Sequence, residues 1–452
     1  MKRVVFGAAG VTCVAIALAV GAGRPWSIQA QFPGAVLLFL GVLSLACVRA
    51  GSDARATMTV TAVSVLVALY GAEAFFSFSP PKPVETRVIT YGASHDQRTK
   101  EEVVLDLRRR GDSSAVPMVY PSFSSNFPEV FPDELRAKIG HEIQPLGGIS
   151  GRTTVLCNES GKWSVYKADE HGFRNPPGMW SAPLEIAVVG DSFSNGNCVS
   201  DGEDWVDRIR ARYARTLNLG VGGNGPLSML ATIREYLADL KPRTVIWQYF
   251  EAHDTRIPPE STVPLLNRYL ADPAFRQGLA GRQVEIDALL DRVVDSALGE
   301  PELRPRKPRI RLSEFIRFSQ IRARLAVARS ASSPAPAAAT ADVLRPVLEQ
   351  AARTVHGWGG KIYFLYLPSW RGVQGGEAPQ HYAPREQVLK AAEAAGMKVI
   401  DAFPAFAAQR DPLSLFPYRS NYHYNASGYA LVADIALKNL SPESSARGQE
   451  AR

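Results

Sequence analysis

The chain has 452 residues, 46% of them hydrophobic and 21% charged, with a formal net charge of +7. That is more than one average domain needs, and too apolar for a disordered chain. The basic excess is not interleaved with aromatic residues and shows no zinc-ligand spacing, so no nucleic-acid partner is expected; the apolar excess is concentrated before Pro80, which excludes a plain cytosolic enzyme.

Three apolar stretches open the chain, at Val4–Ala22, Phe32–Val48 and Thr57–Phe78. Each is about long enough to cross a ~30 Å hydrocarbon core. The reading is a membrane anchor over 1–80 with three transmembrane helices in contact with the lipid bilayer. Lys2 and Arg3 precede the first stretch and Arg49 and Arg55 lie between the second and third, against Arg24 in the opposite loop. Basic residues favour the cytoplasmic side. The anchor is thus expected in the inner (plasma) membrane, with everything after Pro80 extracytoplasmic, that is, periplasmic. Were the first stretch a cleaved signal peptide, the other two would form a hairpin and the C-terminal part would still lie outside. Glu73, near the end of the third stretch, is expected to reach the membrane interface. Cys13 and Cys47 fall inside apolar stretches and read as small hydrophobes. Cys157 and Cys198 remain for the outer part, where an oxidising compartment would let them pair as a disulfide; separate burial is the alternative, since spacing does not establish bridge geometry.

Residues 81–168 are mixed and Pro-rich, with a charged, helix-like piece around Lys100–Arg110, and read as a linker and accessory segment. From Leu184 short apolar runs alternate with amphipathic segments. Strands are predicted at Leu184–Val189, Arg215–Leu219, Arg243–Phe250, Lys361–Leu367 and Met397–Ile400. Helices are predicted at Asp204–Tyr213, Pro226–Leu237, Pro384–Ala394 and Gly428–Leu440. This alternation implies an α/β domain, a three-layer doubly wound parallel sheet, over 169–440. Ligands in such sheets bind beyond the carboxyl ends of the strands. An insertion at about 258–360 carries a basic run from Leu303 to Arg311, a helix-like stretch from Leu312 to Arg329, and an Ala/Pro/Ser segment, Ser330–Thr340, that reads as a flexible surface loop. Residues 441–452 are polar and read as a disordered tail.

Four blocks stand at strand ends. Val189-Gly-Asp-Ser-Phe193 follows the first strand and opens a helix, where free backbone N–H groups stabilise developing negative charge. Asn218-Leu-Gly-Val-Gly-Gly-Asn-Gly225 follows the second, and its glycines let a backbone N–H approach a substrate oxygen. Tyr249-Phe-Glu-Ala-His-Asp254 follows the third, and Asn421-Tyr-His-Tyr-Asn-Ala-Ser-Gly-Tyr429 precedes the last helix. Ser192 is the candidate nucleophile and His423 the candidate base. Upstream, Asp169-Glu-His-Gly-Phe-Arg174 reads as a packing element from which Arg174 could face the cleft, and Asn158-Glu-Ser160 and Asn425-Ala-Ser427 match the glycosylation triplet.

These blocks, in this order, resemble the SGNH (GDSL-type) hydrolase superfamily of serine esterases and acyltransferases, over about Asp169–Leu440. The resemblance implies a flavodoxin-like SGNH hydrolase fold, Ser192 as nucleophile, and His423 as base. It also implies an oxyanion hole formed by Ser192, Gly223 and His253, the last standing where the family has Asn. The family's acid lies two or three positions before the histidine, and here those positions are Asn421 and Ser420. Two outcomes are open: a weaker Ser192–His423 dyad, or a carboxylate brought from elsewhere, Asp411 being the nearest upstream acid. No metal and no cofactor are expected. The function expected is a membrane-tethered serine esterase or O-acyltransferase acting on an acyl ester of a cell-envelope polysaccharide or glycolipid, with a separate membrane acyltransferase as a candidate partner. The rival is a catalytically impaired glycan-binding or scaffold component of a polysaccharide modification or export assembly.

Overall fold

The computed structural model describes residues 51–78, 95–121, 133–181, 183–251, 257–298, 318, 321, 337–375 and 384–440. The first two apolar stretches, the basic run at 303–311, nearly all of the stretch 312–329 and the tail from 441 lie outside these residues. The chain divides into two units, Met1–Thr90 with Glu302–Pro334, and Tyr91–Pro301 with Ala335–Arg452.

In the first unit, helix α1 (Ser52–Phe78) covers the third apolar stretch. Its Ser52–Phe75 part has a mean hydropathy of 1.6 and, among the described residues, is the one helix long and apolar enough to cross a membrane. Val60, Val63, Val67 and Phe75 are exposed. Glu73 lies in the last turns of this helix. It is buried, and its Oε2 accepts the Ile321 backbone N–H at 2.9 Å, while the Tyr70 and Phe318 rings lie 4.6 Å apart.

The second unit is built on five parallel strands, β4 (Ile186–Gly190), β5 (Thr216–Gly220), β6 (Thr244–Phe250), β7 (Lys361–Leu367) and β8 (Lys398–Asp401), in the order β5-β4-β6-β7-β8. They fall on the five runs read from the sequence, within a residue or two at each end. Helices on both faces bury both sides of the inner strands, which is why β4 is a continuous apolar run rather than an alternating one. Its side chains still divide by period two. Ala187 and Val189 pack with Leu230, Leu348 and Val388, whereas Ile186 and Val188 pack with Trp205, Val206 and Val432 on the other face. The chain leaves β4 toward β5 on one side and returns to build β6, β7 and β8 on the other. The switch point therefore lies at the carboxyl end of β4.

The helical layers of this unit comprise α2 (Lys100–Arg109), α3 (Ser192–Asn195), α4 (Trp205–Arg210), α5 (Pro226–Thr232), α6 (Pro264–Ala271) and α7 (Gln283–Leu298), together with α8 (Ala337–Gly357), α9 (Arg385–Ala394) and α10 (Ala426–Leu440). The predicted helix Pro226–Leu237 is α5 continued by a π-helical turn at Ile233–Leu237. The buried Glu235 of that turn accepts the Leu279 N–H at 2.8 Å, tying the insertion to the core. The insertion is no appendage, since Leu266, Ile286, Leu290, Val347 and Leu348 belong to the same buried cluster as β4 and β5. The Ala/Pro/Ser segment also differs from its reading as a loop. Ala337 to Thr340 form the first turn of α8, as the high helix propensity of alanine favours; 330–336 lie outside the described residues.

The accessory segment belongs to this unit as well. Strands β1 (Val116–Pro117), β2 (Thr153–Val155) and β3 (Val165–Lys167) form a small sheet, β2 parallel to β1 and antiparallel to β3. Val116, Leu156 and Tyr166 join the buried cluster of the large sheet. The β2–β3 hairpin carries residues 156–164 toward the carboxyl end of β4.

Candidate active site

Ser192 is the first residue of α3, directly after β4. Asp191 caps this helix by accepting the Phe193 N–H at 2.9 Å. Gln248 of β6 accepts from the Asp191 N–H at 3.1 Å and from Ser194 Oγ at 3.0 Å, and Asn218 Nδ2 of β5 donates to the Ser194 carbonyl at 2.7 Å. A β-carbon on Gly220 would stand 2.5 Å from Ser194 Cβ and 2.6 Å from the Asn195 nitrogen, so α3 sits this low only over glycine. The Arg174 guanidinium does not face the cleft. It is buried, donates to the carbonyls of Asn195, Gly196 and Val199, and pairs with Asp201 at 2.8 Å, bracing the loop beyond α3.

His423 precedes α10, whose first turn is capped by Asn425 Oδ1 accepting the Ser427 and Gly428 N–H groups at 3.0 Å each. Its Nε2 lies 2.8 Å from Ser192 Oγ. Its Nδ1 lies 2.9 Å from Glu159 Oε1 and 3.0 Å from Oε2, and Oε2 also accepts the His423 backbone N–H at 2.8 Å. One carboxylate thus holds both the ring and the main chain of the histidine. Burial opposes a charged imidazole, but attraction to Glu159 and the hydrogen bond that its carboxylate accepts from the ring outweigh burial, with Asp191 adding to them; His423 is raised above its ordinary pKa. Burial likewise works to raise Glu159, and the His423 contacts overcome it, leaving that carboxyl below its ordinary value.

Neither sequence candidate for the acid takes this place. Asn421 is exposed, and Asp411 forms an ion pair with Arg419. Glu159 comes from far upstream, out of the accessory segment, and entered the sequence reading only as the middle of a glycosylation triplet. A signal was present nonetheless: Glu159 stands two residues after Cys157, and Ser192 stands shortly before Cys198. Those two cysteines are joined by a disulfide, with Cα atoms 5.2 Å apart. Ser160 Oγ donates to the Cys198 carbonyl at 3.1 Å and Ser164 Oγ to the Val199 carbonyl at 2.7 Å, so the hairpin is stapled and hydrogen-bonded beside α3. With its ends 41 positions apart in sequence, the bridge contributes about 4 kcal/mol by chain entropy. Replacing both cysteines by serine should lower the melting temperature, measured by calorimetry; an unchanged melting temperature would mean that the hairpin is held without the bridge.

For the oxyanion, Gly223 sits at φ +84° in the turn after β5 and lines, with Gly222, Ser192 and His423, a cavity of about 560 Å³. The Ser192 N–H belongs to the first turn of α3, where no intrahelical acceptor exists. His253 lies outside the described residues. Glu159, Cys198 and His423 bring ligand-type atoms within 4.8 Å of one another, but the Cys198 sulfur is committed to the disulfide and both ring nitrogens of His423 are engaged. The arrangement moves protons: it can draw the Ser192 proton onto His423, with Glu159 orienting the ring and offsetting its charge.

Several solved structures are similar to this chain. A lipolytic protein of the G-D-S-L family from Veillonella parvula DSM 2008 is 15% identical, covering 57% of this chain and 98% of that one with a TM-score of 0.32. A lipase/acylhydrolase from Enterococcus faecalis is 14% identical over 57% of this chain and 95% of that one, TM-score 0.32. A variant of Axe2, an acetyl-xylooligosaccharide esterase from Geobacillus Stearmophilus, is 12% identical over 59% and 98%, TM-score 0.32. No protein-family model matches the chain, and no curated protein sequence does.

Proposed function

We propose that this chain is a membrane-tethered, extracytoplasmic serine esterase or O-acyltransferase of the SGNH type that works through an acyl-serine intermediate. The observation that carries the reading is the continuous line Glu159–His423–Ser192 at the carboxyl end of β4, beside a turn with glycine at positive φ. In the first half-reaction Ser192 Oγ attacks the ester carbonyl while its proton passes to His423 Nε2. The oxyanion is held by the Ser192 and Gly223 N–H groups, and the alcohol leaves with the proton from His423. In the second, His423 deprotonates water or an acceptor hydroxyl, which attacks the acyl carbon and frees Ser192. Hydrolysis and transfer differ only in that acceptor.

The cavity combines Trp163 and Tyr120 with Asn158, Asn197 and Gln97, aromatic faces and amides of the kind that hold sugar rings, which supports an O-acylated cell-envelope glycan as substrate. The apolar helix α1 supports the tether. The scaffold alternative rested on the neutral residues Ser420 and Asn421 and on His253 in place of the oxyanion Asn; Glu159 beside His423 speaks against the first ground, and His253 lies outside the described residues.

The test is chemical. The purified full-length protein, treated with a fluorophosphonate, should carry the adduct on the peptide containing Ser192, and should release p-nitrophenol from its acetate ester with an initial burst. A folded protein that neither labels nor turns over would overturn the reading. Acetyl transfer to an oligosaccharide by the protein alone would dispense with a separate acyltransferase partner.

A further inference from the structure

Building on the esterase reading, we infer that Lys100 forms a subsite for an anionic group, a carboxylate or a phosphate, carried by the substrate close to its acyl ester. The cavity that Ser192 and His423 line is also lined by residues of the segment 95–100, by Tyr120 and by Trp163. The other full charges lining it are already matched. Glu159 faces His423, and Arg98 pairs with Asp96 at 2.6 Å and with Asp106 at 2.7 Å. Among the described residues no carboxylate lies within ion-pair distance of Lys100; its Nζ is 5.7 Å from the centroid of the Tyr120 ring.

Helix stability does not account for a lysine at this position. Lys100 is the first residue of α2, where the helix end is positive and disfavours a cation. The helix start is already satisfied by Thr99, which accepts the Glu102 N–H at 3.2 Å, and by Glu102, which accepts the Thr99 N–H at 2.7 Å. Partial burial disfavours the charged amine and lowers its pKa, against a weaker opposing pull from Glu101. An anion entering the cavity supplies the missing countercharge.

The distance scale is set by Tyr120. Its ring lies against the turn after β5 so closely that a β-carbon on Gly222 would stand 2.3 Å from Tyr120 Cε1. The ammonium is therefore separated from the oxyanion turn by about one aromatic ring. An acyl group on one position of a sugar and an anionic substituent on the same or the next residue would span that gap. A second cavity of about 370 Å³ shares Asp96, Arg98 and Trp163 with the first and adds Lys162, together with Arg110, which pairs with Asp106 at 2.8 Å.

The experiment compares the full-length wild type with Lys100→Met and Lys100→Arg on three acetyl esters: acetylated trigalacturonate for the carboxylate, acetyl glycerol phosphate for the phosphate, and neutral acetylated xylotriose. The expected result is a wild-type kcat/KM for one anionic ester about tenfold or more above that for the neutral one. This ratio should collapse in Lys100→Met through KM, return in Lys100→Arg, and shrink with added salt. The ester that shows it identifies the source of the anion. A ratio near one in the wild type, or a ratio unchanged in Lys100→Met of wild-type melting temperature, overturns the subsite. Titration calorimetry with trigalacturonate and with inorganic phosphate separates this from the esterase reading. Binding that depends on Lys100 in a protein without turnover upholds the subsite and defeats the esterase, and equal binding by wild type and Lys100→Met defeats the subsite alone.

Discussion

Exchange of Ser192 for alanine should abolish phosphonate labelling and lower ester turnover by roughly 10⁴- to 10⁶-fold, with little change in melting temperature. The small structural effect follows from the local geometry. Helix α3 is held by Asp191, Gln248 and Asn218 through Phe193 and Ser194, and no contact among these runs through the Ser192 hydroxyl. The large chemical effect follows because the hydroxyl is the partner of His423 Nε2 at 2.8 Å and no other side-chain hydroxyl hydrogen-bonds to that nitrogen among the described residues. Turnover within tenfold of the wild type in the alanine variant would show that the acyl group is carried elsewhere.

The second large effect is expected at Glu159. Glutamine there keeps the size of the side chain but loses the charge, and can offer its amide N–H group to His423 Nδ1, selecting the wrong tautomer. Turnover should fall by about 10³- to 10⁴-fold. The pH profile should move too, and its sign is determined by the geometry. The wild-type base is active when His423 is neutral, and Glu159 raises the pKa of that histidine, so the acid limb of kcat/KM should lie above the ordinary histidine range of about 6.5. Removing the carboxylate lowers the histidine pKa and shifts the limb toward lower pH, while the plateau drops. Asp411→Asn serves as the control, because Asp411 pairs with Arg419 rather than with His423. A limb that stays in place in Glu159→Gln, or a shift in Asp411→Asn, would assign the acid differently.

Much of the fold was legible because the large sheet is parallel and buried on both faces. β4, β6 and β7 are then mostly continuous apolar runs, while β5 and β8 keep only two apolar side chains each, and the β-α order follows from the amphipathic segments between them. Ser192 and His423 could be brought together from the sequence for a related reason: each stands within a few residues of the end of a regular element, so local sequence places it, whereas Gly223 was singled out only by the resemblance. Glu159 was not legible, because nothing local aims it. Its position depends on a disulfide and on side-chain to carbonyl hydrogen bonds between segments far apart in the chain. The start of α8 was misread because Ala-rich sequence suits a loop by composition and a helix by propensity, and burial of Leu344 and Val347 decided for the helix.

The origin of the acid also bears on where this catalytic unit can be cut and grafted. A fragment beginning at Asp169 would keep all five strands of the large sheet, the nucleophile and the base, and would still leave the histidine without its counter-charge. The smallest transplantable piece must reach back through β2 and include Cys157 with Glu159. For this chain, the five-stranded sheet that carries Ser192 begins after the segment that carries Glu159.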